Sequence, residues 1–461
     1  MLLKNKLEKC KTFIKNDNVL TTMEERYCYS TDAGNYNKGK VPDLVVFVET
    51  IKEVQSILKY ANQHKIPVIA RGAGTNMVGS CVCTQGGIVL NFSKMNKILE
   101  FSPVNMTIKV QSGVILGDLK DFVEEHNLYF PPDPSNYKVS TIGGGIAQSS
   151  SGAKAFKYGS IKDYVLSLKV VTAEGKLMTL GAETIKDSVG YHLGQLIIGS
   201  EGTLAIVVEA VLKLIPKPQN KTLVLAYHNE IEQTTNTVEK ILVSNIFPSA
   251  IDFMDKNSMR TVNQYKNCGL KENNNTLLII EIDSYNSNMQ DQIEKIKEIL
   301  DSYNTPDYEI TNDKARIEEI WNARHSSYAA VTRLAPDVIS DDIIVPREKL
   351  AELVTFCNNI TEKFNLRMCL VGHIGDGNLH PQIALNLENE EEMRNCSTAK
   401  SLIYKEVIRL GGTISGEHGI GLDKMPYFKQ TVDKNALEYM KMIKKIFDPN
   451  NILNPGKIFD T

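Results

Sequence analysis

Long apolar runs and an excess of charge of one sign are both missing from this 461-residue sequence. No segment approaches the ~18 uninterrupted apolar residues that a transmembrane helix needs. The charged N-terminal segment, MLLKNKLEKCKTFIKNDN, predicts an amphipathic helix and no secretory signal. The 52 basic and 55 acidic residues are spread along the chain, so no basic patch indicates a nucleic-acid partner. Peripheral contact with a membrane stays open.

Cysteine patterns that hold inorganic cofactors are also missing. None of the eight cysteines forms a C-x-x-C pair, so the sequence has no iron–sulfur cluster run and no haem attachment motif. Cys81 and Cys83 are too close in sequence for an ordinary disulfide. We expect all eight cysteines to be reduced and mostly buried, which is typical of a cytoplasmic protein.

Hydrophobic periodicity predicts a strand–helix–strand unit near the N-terminus. Residues 41–48 and 66–72 are rich in β-branched residues, and the segment between them places apolar residues at helical spacing. Two parallel strands joined by a helix are expected to form a right-handed crossover. Further strands are predicted over 86–92, 105–113 and 203–215, a helix over 116–123 and a hairpin over 164–176. The segment PKPQN at 216–220 marks a plausible boundary.

After residue 221 the pattern changes to Lys- and Asn-rich helices that alternate with strands. Strands are predicted over 275–283 and 367–374, with helices over 289–300 and 350–364. This order favours an α+β domain with an antiparallel sheet. The last forty residues predict one helix, over 435–447, and a polar tail.

Two glycine-rich segments lie in the first half, RGAGTNMVGS at 71–80 and STIGGGIAQSSSGAKAFKYGS at 140–160. Glycines allow backbone N–H groups to approach a pyrophosphate closely. Neither segment has the G-x-G-x-x-G or G-x-x-x-x-G-K-[ST] spacing, and no helix is expected to begin at the first. Each alone is as typical of a structural turn as of a ligand loop. Two such segments in one domain favour the interpretation that they bind a dinucleotide.

Two histidine-containing segments suggest a metal site. LVGHIGDGNLH at 370–380 places His373 and His380 on either side of a glycine turn, and GGTISGEHGIG at 411–421 adds Glu417. Two histidines and one carboxylate form a common N,N,O ligand set that leaves positions open for substrate. The alternative is that these histidines only hydrogen-bond the backbone of a hairpin.

A family resemblance joins these features. The series PDLVVFVETIKEV, IPVIARGAGTNMVG, TIGGGIAQSSSGAKAFKYGS, GSEGTLAIVVEAVLKLIPKP and DPNNILNPGKIF resembles the FAD-linked 2-hydroxy-acid dehydrogenases. These belong to the vanillyl-alcohol-oxidase superfamily, in the branch of the glycolate oxidase D-subunit and D-lactate dehydrogenase. The resemblance implies a two-subdomain FAD-binding domain over 1–218, an α+β substrate (cap) domain with an antiparallel sheet over 219–420, and a C-terminal segment, 421–461, that returns to the FAD domain.

The resemblance also implies the FAD contacts, with residues 72–76 and 141–145 around the pyrophosphate. The implied contacts are Arg71, Gly72, Ala73, Gly74, Thr75, Asn76, Pro132, Ser140, Thr141, Gly143, Gly144, Gly145, Ser149, Gly152, Tyr158, Gly159, Glu201, Gly202, Ile206 and Asn454. Members that attach FAD covalently tend to carry a histidine where this chain has Thr75, so we expect non-covalent FAD. Many members have Asn at the position of Gly145, and that polar contact is missing here.

The resemblance further implies that His373, His380 and Glu417 are metal ligands, with Fe, Zn or Mn all compatible, and that His418 is the general base. Arg324, in WNAR, is a candidate for orienting the substrate carboxylate; the alternative is a helix-surface arginine, and Arg333 is a weaker candidate. Hydroxyglutarate-type relatives carry a basic residue at the place of Ser340, which favours a smaller acid here. Gln382 is a further polar candidate.

The predicted function is therefore FAD-dependent oxidation of D-lactate or a similar small 2-hydroxy acid. Without a second redox motif in the chain, electrons must leave to an external acceptor. The resemblance favours an electron-transferring flavoprotein and electron bifurcation, with a quinone, a cytochrome or an iron–sulfur subunit as alternatives. The competing functions are a glycolate or 2-hydroxyglutarate dehydrogenase, a non-catalytic flavin subunit, and a FAD-dependent synthase.

Overall fold

The computed structural model describes residues 2–34, 36–285, 289–303, 305 and 307–460, and these ranges fold around three main sheets. The first sheet lies near the N-terminus and has the order β1-β2-β4-β3, in which β2 and β3 both run parallel to β4. This confirms the predicted parallel strand–helix–strand unit and places β4 between its two strands. The elements here are α1 (Leu2–Lys11), β1 (Val19–Leu20), α2 (Met23–Tyr27), β2 (Leu44–Phe47), α3 (Ile51–His64), β3 (Val68–Arg71) and β4 (Ile88–Asn91).

Helix α3 shows why the sequence forms this unit. Its apolar residues recur at i, i+3, i+4 and i+7, and all four (Val54, Ile57, Leu58 and Ala61) are buried against the sheet. At its start, Thr50 and Glu53 form a reciprocal capping box that satisfies backbone N–H groups at the helix N-terminus. The helix is thereby fixed at both its face and its first turn.

The second sheet is antiparallel, with the order β5-β6-β10-β8-β9. The predicted hairpin is confirmed as β8 and β9. Strand β10 alternates its side chains: Ile206 and Val208 join the core of the first sheet, whereas Ala205 and Val207 face the second core. The elements are β5 (Ile98–Ser102), β6 (Thr107–Gln111), α4 (Leu116–Glu125), β7 (Leu128–Tyr129), α5 (Ile142–Gln148), α6 (Ala155–Tyr158), β8 (Val165–Thr172), β9 (Leu177–Gly181), α7 (Leu193–Ile197) and β10 (Ala205–Lys213).

Helix α5 was not predicted, because three consecutive glycines have low helix propensity. It forms nevertheless, since Thr141 caps it by accepting a hydrogen bond from the Gly144 N–H, and Ile142 and Ile146 are buried on one face. The second glycine-rich segment therefore opens a helix, whereas the first does not. Tertiary burial and capping outweigh local propensity here.

The third sheet has eight strands, all paired antiparallel, in the order β15-β12-β14-β13-β18-β19-β16, with β17 also paired to β19. This confirms the predicted α+β domain with an antiparallel sheet. The elements are β11 (Ile215–Pro216, paired to β7), β12 (Asn220–His228), α8 (Ile231–Leu242), β13 (Ala250–Asp255), α9 (Lys256–Tyr265), β14 (Thr276–Ser284), α10 (Gln290–Ser302), β15 (Asp307–Thr311), α11 (Lys314–His325), α12 (Ser327–Val331), β16 (Asp337–Ser340), β17 (Ile343–Ile344), α13 (Leu350–Lys363), β18 (Arg367–Gly372), β19 (Asn378–Leu385), α14 (Glu390–Arg409), α15 (Met425–Phe428) and α16 (Lys434–Phe447).

The C-terminal segment contacts the first sheet. The N–H of Val68 donates to the carbonyl of Ile452, and the N–H of Asn454 donates back to the carbonyl of Val68. Three short 3-10 turns complete the described elements, at Asn16–Asn18, Ile161–Asp163 and Arg347–Lys349. Across the described ranges, no helix combines the length and apolarity that a membrane crossing requires.

The cysteines follow the sequence prediction. All eight are free; six are buried, Cys81 is half-buried and Cys28 is exposed. Burial raises the pKa of the Cys81 thiol to about 11, so this side chain is protonated near neutral pH.

Candidate active site

A cavity of about 420 Å³ lies between the glycine-rich segments and the histidine segments. One side, which we call the flavin wall, is formed by residues 71–76, 112, 140, 141, 143–145, 148, 150, 201, 202 and 206. The opposite side, which we call the histidine wall, includes Arg324, His380, Glu417 and His418. The fold therefore brings together in one cavity two sets of residues that are more than 100 positions apart in the sequence.

Fourteen of the predicted FAD contacts line this cavity. They are Arg71, Gly72, Ala73, Gly74, Thr75, Asn76, Ser140, Thr141, Gly143, Gly144, Gly145, Glu201, Gly202 and Ile206.

The two glycine-rich segments touch at the cavity floor. A Cβ on Gly72 would lie 2.1 Å from Thr141 Oγ1, the same oxygen that caps α5. Gly74 has φ of +74°, a left-handed backbone in which a Cβ would lie 2.2 Å from the Arg71 guanidinium. Glycine at these two positions is therefore required by space and by backbone conformation, and it leaves the backbone open to a ligand.

The flavin wall also carries buried polar atoms that fit a dinucleotide. Among the described residues, the side-chain oxygens of Ser112, Ser140, Gln148 and Ser150 are buried without a hydrogen-bond partner, and all four residues line the cavity. Unpaired buried polar groups are costly, so a polar ligand would stabilise this wall. Ser150 Oγ lies 2.9 Å from where a Cβ on Gly145 would be, so a serine hydroxyl stands beside position 145.

Six other predicted FAD contacts do not line the cavity. Tyr158 donates its hydroxyl to Asp283 Oδ2 (2.8 Å), and Asn454 donates its amide to the carbonyls of Ser80 and Glu201 (2.7 Å each). Pro132 accepts a hydrogen bond from Lys120, and Ser149 ends α5 in a left-handed conformation. The remaining two, Gly152 and Gly159, have positive φ and lie against carboxylates. All six positions make contacts within the protein, and their role as FAD contacts stays a prediction.

The histidine cluster is built on the β18–β19 hairpin. His373 directly follows β18 and His380 lies in β19, with ring centroids 5.2 Å apart. Glu417 Oε1 lies 3.4 Å from Nε2 of each histidine, and one atom from each residue can be chosen so that all three lie within 4.8 Å of one another. The structure therefore supports the prediction that these three residues converge. The alternative, in which the histidines only hydrogen-bond the backbone of a hairpin, does not describe these side-chain contacts.

Asp252, from strand β13, orients His373. The fully buried carboxylate accepts a hydrogen bond from His373 Nδ1 at 2.6 Å, which points Nε2 toward Glu417. Burial alone lowers the pKa of His373, but Asp252 and Glu417 outweigh it and raise the pKa to about 10. With Nδ1 bound to a carboxylate and Nε2 facing Glu417, His373 has the orientation of a histidine in a carboxylate–histidine–metal arrangement.

His380 and Glu417 complete a ligand set that suits a divalent cation. Burial, together with the charge of His373, lowers the pKa of His380 to about 4, so its imidazole is neutral and can donate a lone pair. Glu417 Oε2 is buried without a hydrogen-bond partner among the described residues. The donor chemistry and the unpaired oxygen both fit a metal ion with two nitrogen ligands and one oxygen ligand.

The segment 415–421, which we call the catalytic loop, connects the two walls. His418 stacks on His380, with ring centroids 5.3 Å apart and planes at 19°. Its carbonyl accepts a hydrogen bond from Asn76 of the flavin wall at 3.0 Å. The carboxylate of Glu201 accepts hydrogen bonds from the N–H groups of Ile420 (2.7 Å) and Gly421 (2.9 Å). The loop is thus held against the flavin wall while its imidazole faces the histidine cluster.

The two arginine candidates occupy different environments. Arg324 is 4% exposed, lies on the cavity, and its Nε is 2.6 Å from Asp252 Oδ2. Its Nη2 is buried without a hydrogen-bond partner in the described ranges, so the helix-surface alternative for Arg324 is wrong. Arg333 is exposed, outside the cavity lining, and lies over the ring of Tyr265. Ser340 and Gln382 both line the cavity, and Gln382 accepts a hydrogen bond from Ser327.

Sequence reasoning missed the two buried carboxylates behind this wall. Asp252 lies in a strand, AIDFMD, whose other inward residues are apolar, and Asp342 directly precedes the apolar run IIV. Both are at most 1% exposed. A single acidic residue inside an apolar strand is the signal that could have identified Asp252, since buried charges are normally paired or bind metals.

Comparison with known families identifies both halves of the chain. Residues 42–181 match the FAD binding domain, and residues 217–458 match the C-terminal domain of the FAD linked oxidases.

Two relatives and one solved structure illustrate the similarity. The chain is 39% identical to glycolate oxidase subunit GlcD of Bacillus subtilis, over 94% of this chain and 92% of the relative. It is 36% identical to D-lactate dehydrogenase of Anaerostipes hadrus, over 92% and 90% of the two chains. The fold is similar to that of p-cresol methylhydroxylase, with a TM-score of 0.84 and 15% identity, over 99% of this chain and 97% of that one.

Proposed function

The chain belongs to the FAD-linked oxidase family, with a vanillyl-alcohol-oxidase-type fold, and from this premise we propose that it oxidises D-lactate to the 2-oxo acid. Its relatives establish the coarser activity, FAD-linked oxidation of small 2-hydroxy acids. The observation that carries the finer proposal is the placement of Glu417, His380 and His418 on the same cavity as the glycine-rich flavin wall.

Both implied groups have residues that fit them. Residues 71–76 and 141–145 would hold FAD, which when bound supplies the hydride acceptor. His373, His380 and Glu417 would hold a divalent cation, Fe, Zn or Mn, which when bound supplies a Lewis acid next to the substrate hydroxyl. Thr75 and the protonated thiol of Cys81 on the cavity wall both favour non-covalent FAD.

His418 is the proposed general base. An alcohol hydroxyl has a pKa near 15.7 and a free imidazole one near 6.5, so unassisted transfer is uphill by about 9 units, or about 12 kcal/mol. A base beside a cation site avoids most of this cost. His418 lies against His380, and its Nδ1 has no hydrogen-bond partner among the described residues. This ring nitrogen is therefore available to accept the hydroxyl proton as hydride leaves C2.

Arg324 is the proposed partner of the substrate carboxylate. It lines the cavity, and its buried Nη2 lacks a partner among the described residues, so a carboxylate would satisfy it. Arg71 and Arg324 are the only lysine or arginine residues among the described residues that line the cavity, and Arg71 lies in the flavin wall. With Ser340 and Gln382 as neutral neighbours, the site favours a monocarboxylate such as lactate or glycolate over 2-hydroxyglutarate.

Electrons are proposed to leave through an electron-transferring flavoprotein, in the cytoplasm. The support is indirect: no second redox motif occurs in the sequence, and the eight cysteines are free. A bifurcating complex would connect the reduced flavin to NAD through that partner.

The test is anaerobic single-turnover reduction of the purified holoenzyme with D-lactate, L-lactate, glycolate and D-2-hydroxyglutarate. D-Lactate is expected to bleach the flavin fastest, and the dicarboxylate slowest. His418→Asn should slow bleaching by about 100-fold or more, the range of a general base. His192→Asn, an exposed histidine outside the cavity, is the matched control. No bleaching by any acid would support the non-catalytic subunit instead.

A further inference from the structure

Asp342 is a fully buried carboxylate in the link between β16 and β17, and it binds the catalytic loop directly. Its Oδ2 accepts hydrogen bonds from three successive backbone N–H groups, those of Gly416, Glu417 and His418, each at 2.8 Å. The Ser415 hydroxyl donates to the same oxygen at 2.9 Å. Consecutive N–H groups form an anion nest, and here an internal carboxylate fills it.

The other oxygen of Asp342 faces the histidine hairpin. Oδ1 accepts a hydrogen bond from Asn378 Nδ2 at 2.8 Å, and it lies 3.8 Å from His380 Nδ1. Asn378 is the first residue of β19, two positions before His380. One side chain thus joins the loop that carries Glu417 and His418 to the strand that carries His380.

Asp342 has no solvent contact, and a buried lysine lies beside its carboxylate. The fully buried Lys424 lies 3.9 Å from Oδ2 and donates to the carbonyls of Asp342 (2.9 Å) and Ile414 (2.7 Å). Among the described residues, every hydrogen-bond donor to this carboxylate belongs to the catalytic loop or to the histidine hairpin. In Asp342→Asn the side chain keeps only one acceptor oxygen. Its NH2 group would then face hydrogen-bond donors of the loop or of Asn378 and could not accept from them.

We propose that Asp342 is a positioning residue that sets the distance and orientation of Glu417 and His418 relative to His380. The proposal rests on the function proposed above for the identity of the reaction. It adds a residue that touches neither substrate nor flavin and acts through the backbone of the catalytic loop. Its loss should therefore weaken cation binding and slow hydroxy-acid oxidation together, while flavin retention stays unchanged.

Asp341 is a matched control in the adjacent position. It is also buried and charged, but it accepts from the Tyr404 hydroxyl at 2.7 Å and from the Asp342 N–H, with Lys424 and Lys400 nearby. None of its hydrogen bonds comes from residues 415–421. Removing its charge disturbs a buried ion-pair network of the same region without releasing the loop.

The experiment compares Asp342→Asn with Asp341→Asn in holoenzyme that keeps its FAD and has been stripped of metal by chelator. Zn²⁺ titration by calorimetry gives the affinity, and Co²⁺ absorption reports the ligand geometry. For Asp342→Asn we expect about 10- to 100-fold weaker Zn²⁺ binding, the usual cost of losing an outer-shell partner, with an altered Co²⁺ spectrum. Asp341→Asn should lower the melting temperature. Its Zn²⁺ affinity should stay within about twofold of wild type, and its Co²⁺ spectrum should be unchanged.

Unchanged Zn²⁺ affinity and Co²⁺ spectrum in Asp342→Asn would overturn the proposal, and so would equal losses in both variants. If Asp342→Asn fails to fold, Ser415→Ala removes one of the loop donors and should weaken Zn²⁺ binding several-fold at unchanged melting temperature; unchanged binding there counts against the proposal. Flavin bleaching of wild type by hydroxy acids tests the proposed function separately, because the metal readouts need no substrate.

Discussion

The two walls of the cavity are built on different principles. The flavin wall uses backbone and small side chains: glycines at 72 and 74 sit where a Cβ would clash, and buried hydroxyls lack partners. The histidine wall uses individual large side chains that two buried carboxylates hold in place: Asp252 contacts Arg324 and His373, and Asp342 contacts the catalytic loop.

The difference shows which changes each wall tolerates. A wall made of backbone is damaged by adding an atom, since the space beside Gly72 is already taken by Thr141. A wall made of ligands is damaged by exchanging a single donor, because a cation site depends on ligand number and charge. Variants that add a methyl group to the flavin wall should therefore lose FAD retention. Variants that remove a charge from the histidine wall should lose cation binding.

The largest expected effect is on the histidine wall. Glu417→Gln removes the one anionic ligand of the cluster and should reduce Zn²⁺ affinity by more than about 100-fold, beyond the usual cost of an outer-shell change. Flavin content should be unchanged, as measured by absorbance after gel filtration. Glu406→Gln, on α14 and outside the cavity lining, is the control; its carboxylate accepts a hydrogen bond from Arg409. Tight Zn²⁺ binding by Glu417→Gln would show that the cluster is not the cation site.

The walls should also respond to pH in opposite directions. Burial, with the charge of Arg324, lowers the pKa of His325 to about 4 on the histidine wall. Its stabilising contribution is present above pH about 6.5 and is lost as pH falls through about 4. Burial raises the pKa of Asp32, which accepts from Gly79 near the flavin wall, to about 7. That contribution is present below pH about 4 and is lost as pH rises through about 7.

Two variants separate these contributions. Relative to wild type, His325→Gln should gain stability as pH falls from about 6.5 to 4, and Asp32→Asn should gain stability as pH rises from about 4 to 7, each on the order of 2 kcal/mol. Calorimetric melting temperatures across this range measure both. If the stability relative to wild type changed with pH in the same direction in both variants, the assignment of opposite charge preferences to the two walls would be contradicted.

The smallest effect is expected on the flavin wall. In Gly72→Ala the new Cβ would lie 2.1 Å from Thr141 Oγ1, so the cap of α5 must move. Loss of an N-cap costs about 1 kcal/mol, and an equal loss of binding free energy corresponds to roughly fivefold weaker FAD retention. Gly194→Ala, with 3.9 Å to its nearest neighbour, is the control. Zn²⁺ affinity should be unaffected; a loss of Zn²⁺ binding would mean that the walls are coupled.

The same contrast explains what could be read from the sequence. Local patterns predicted α3, the β8–β9 hairpin and the third sheet, because each element's buried face repeats along a short segment. They missed α5, whose three glycines form a helix only because Thr141 caps it and two isoleucines are buried. Propensity is a weak guide where tertiary contacts decide.

The site divides in the same way. His373, His380 and Glu417 were predicted as a set from histidines flanking a glycine turn and from a family motif, and the fold places them together. Asp252 and Asp342 could not be paired with them, because a strand more than 100 residues away and a link between two short strands supply these carboxylates. Long-range pairing of buried charge depends on sheet order, which a single sequence does not specify.

The measurement that tests the account most directly is flavin reduction by D-lactate before and after metal removal. Holoenzyme dialysed against a chelator is expected to keep its FAD but to lose at least about 100-fold in the single-turnover reduction rate. Adding back Zn²⁺, Mn²⁺ or Fe²⁺ anaerobically should restore the rate. Reduction at the original rate in enzyme shown to be metal-free would contradict the assignment of the histidine wall as a cation-assisted oxidation site.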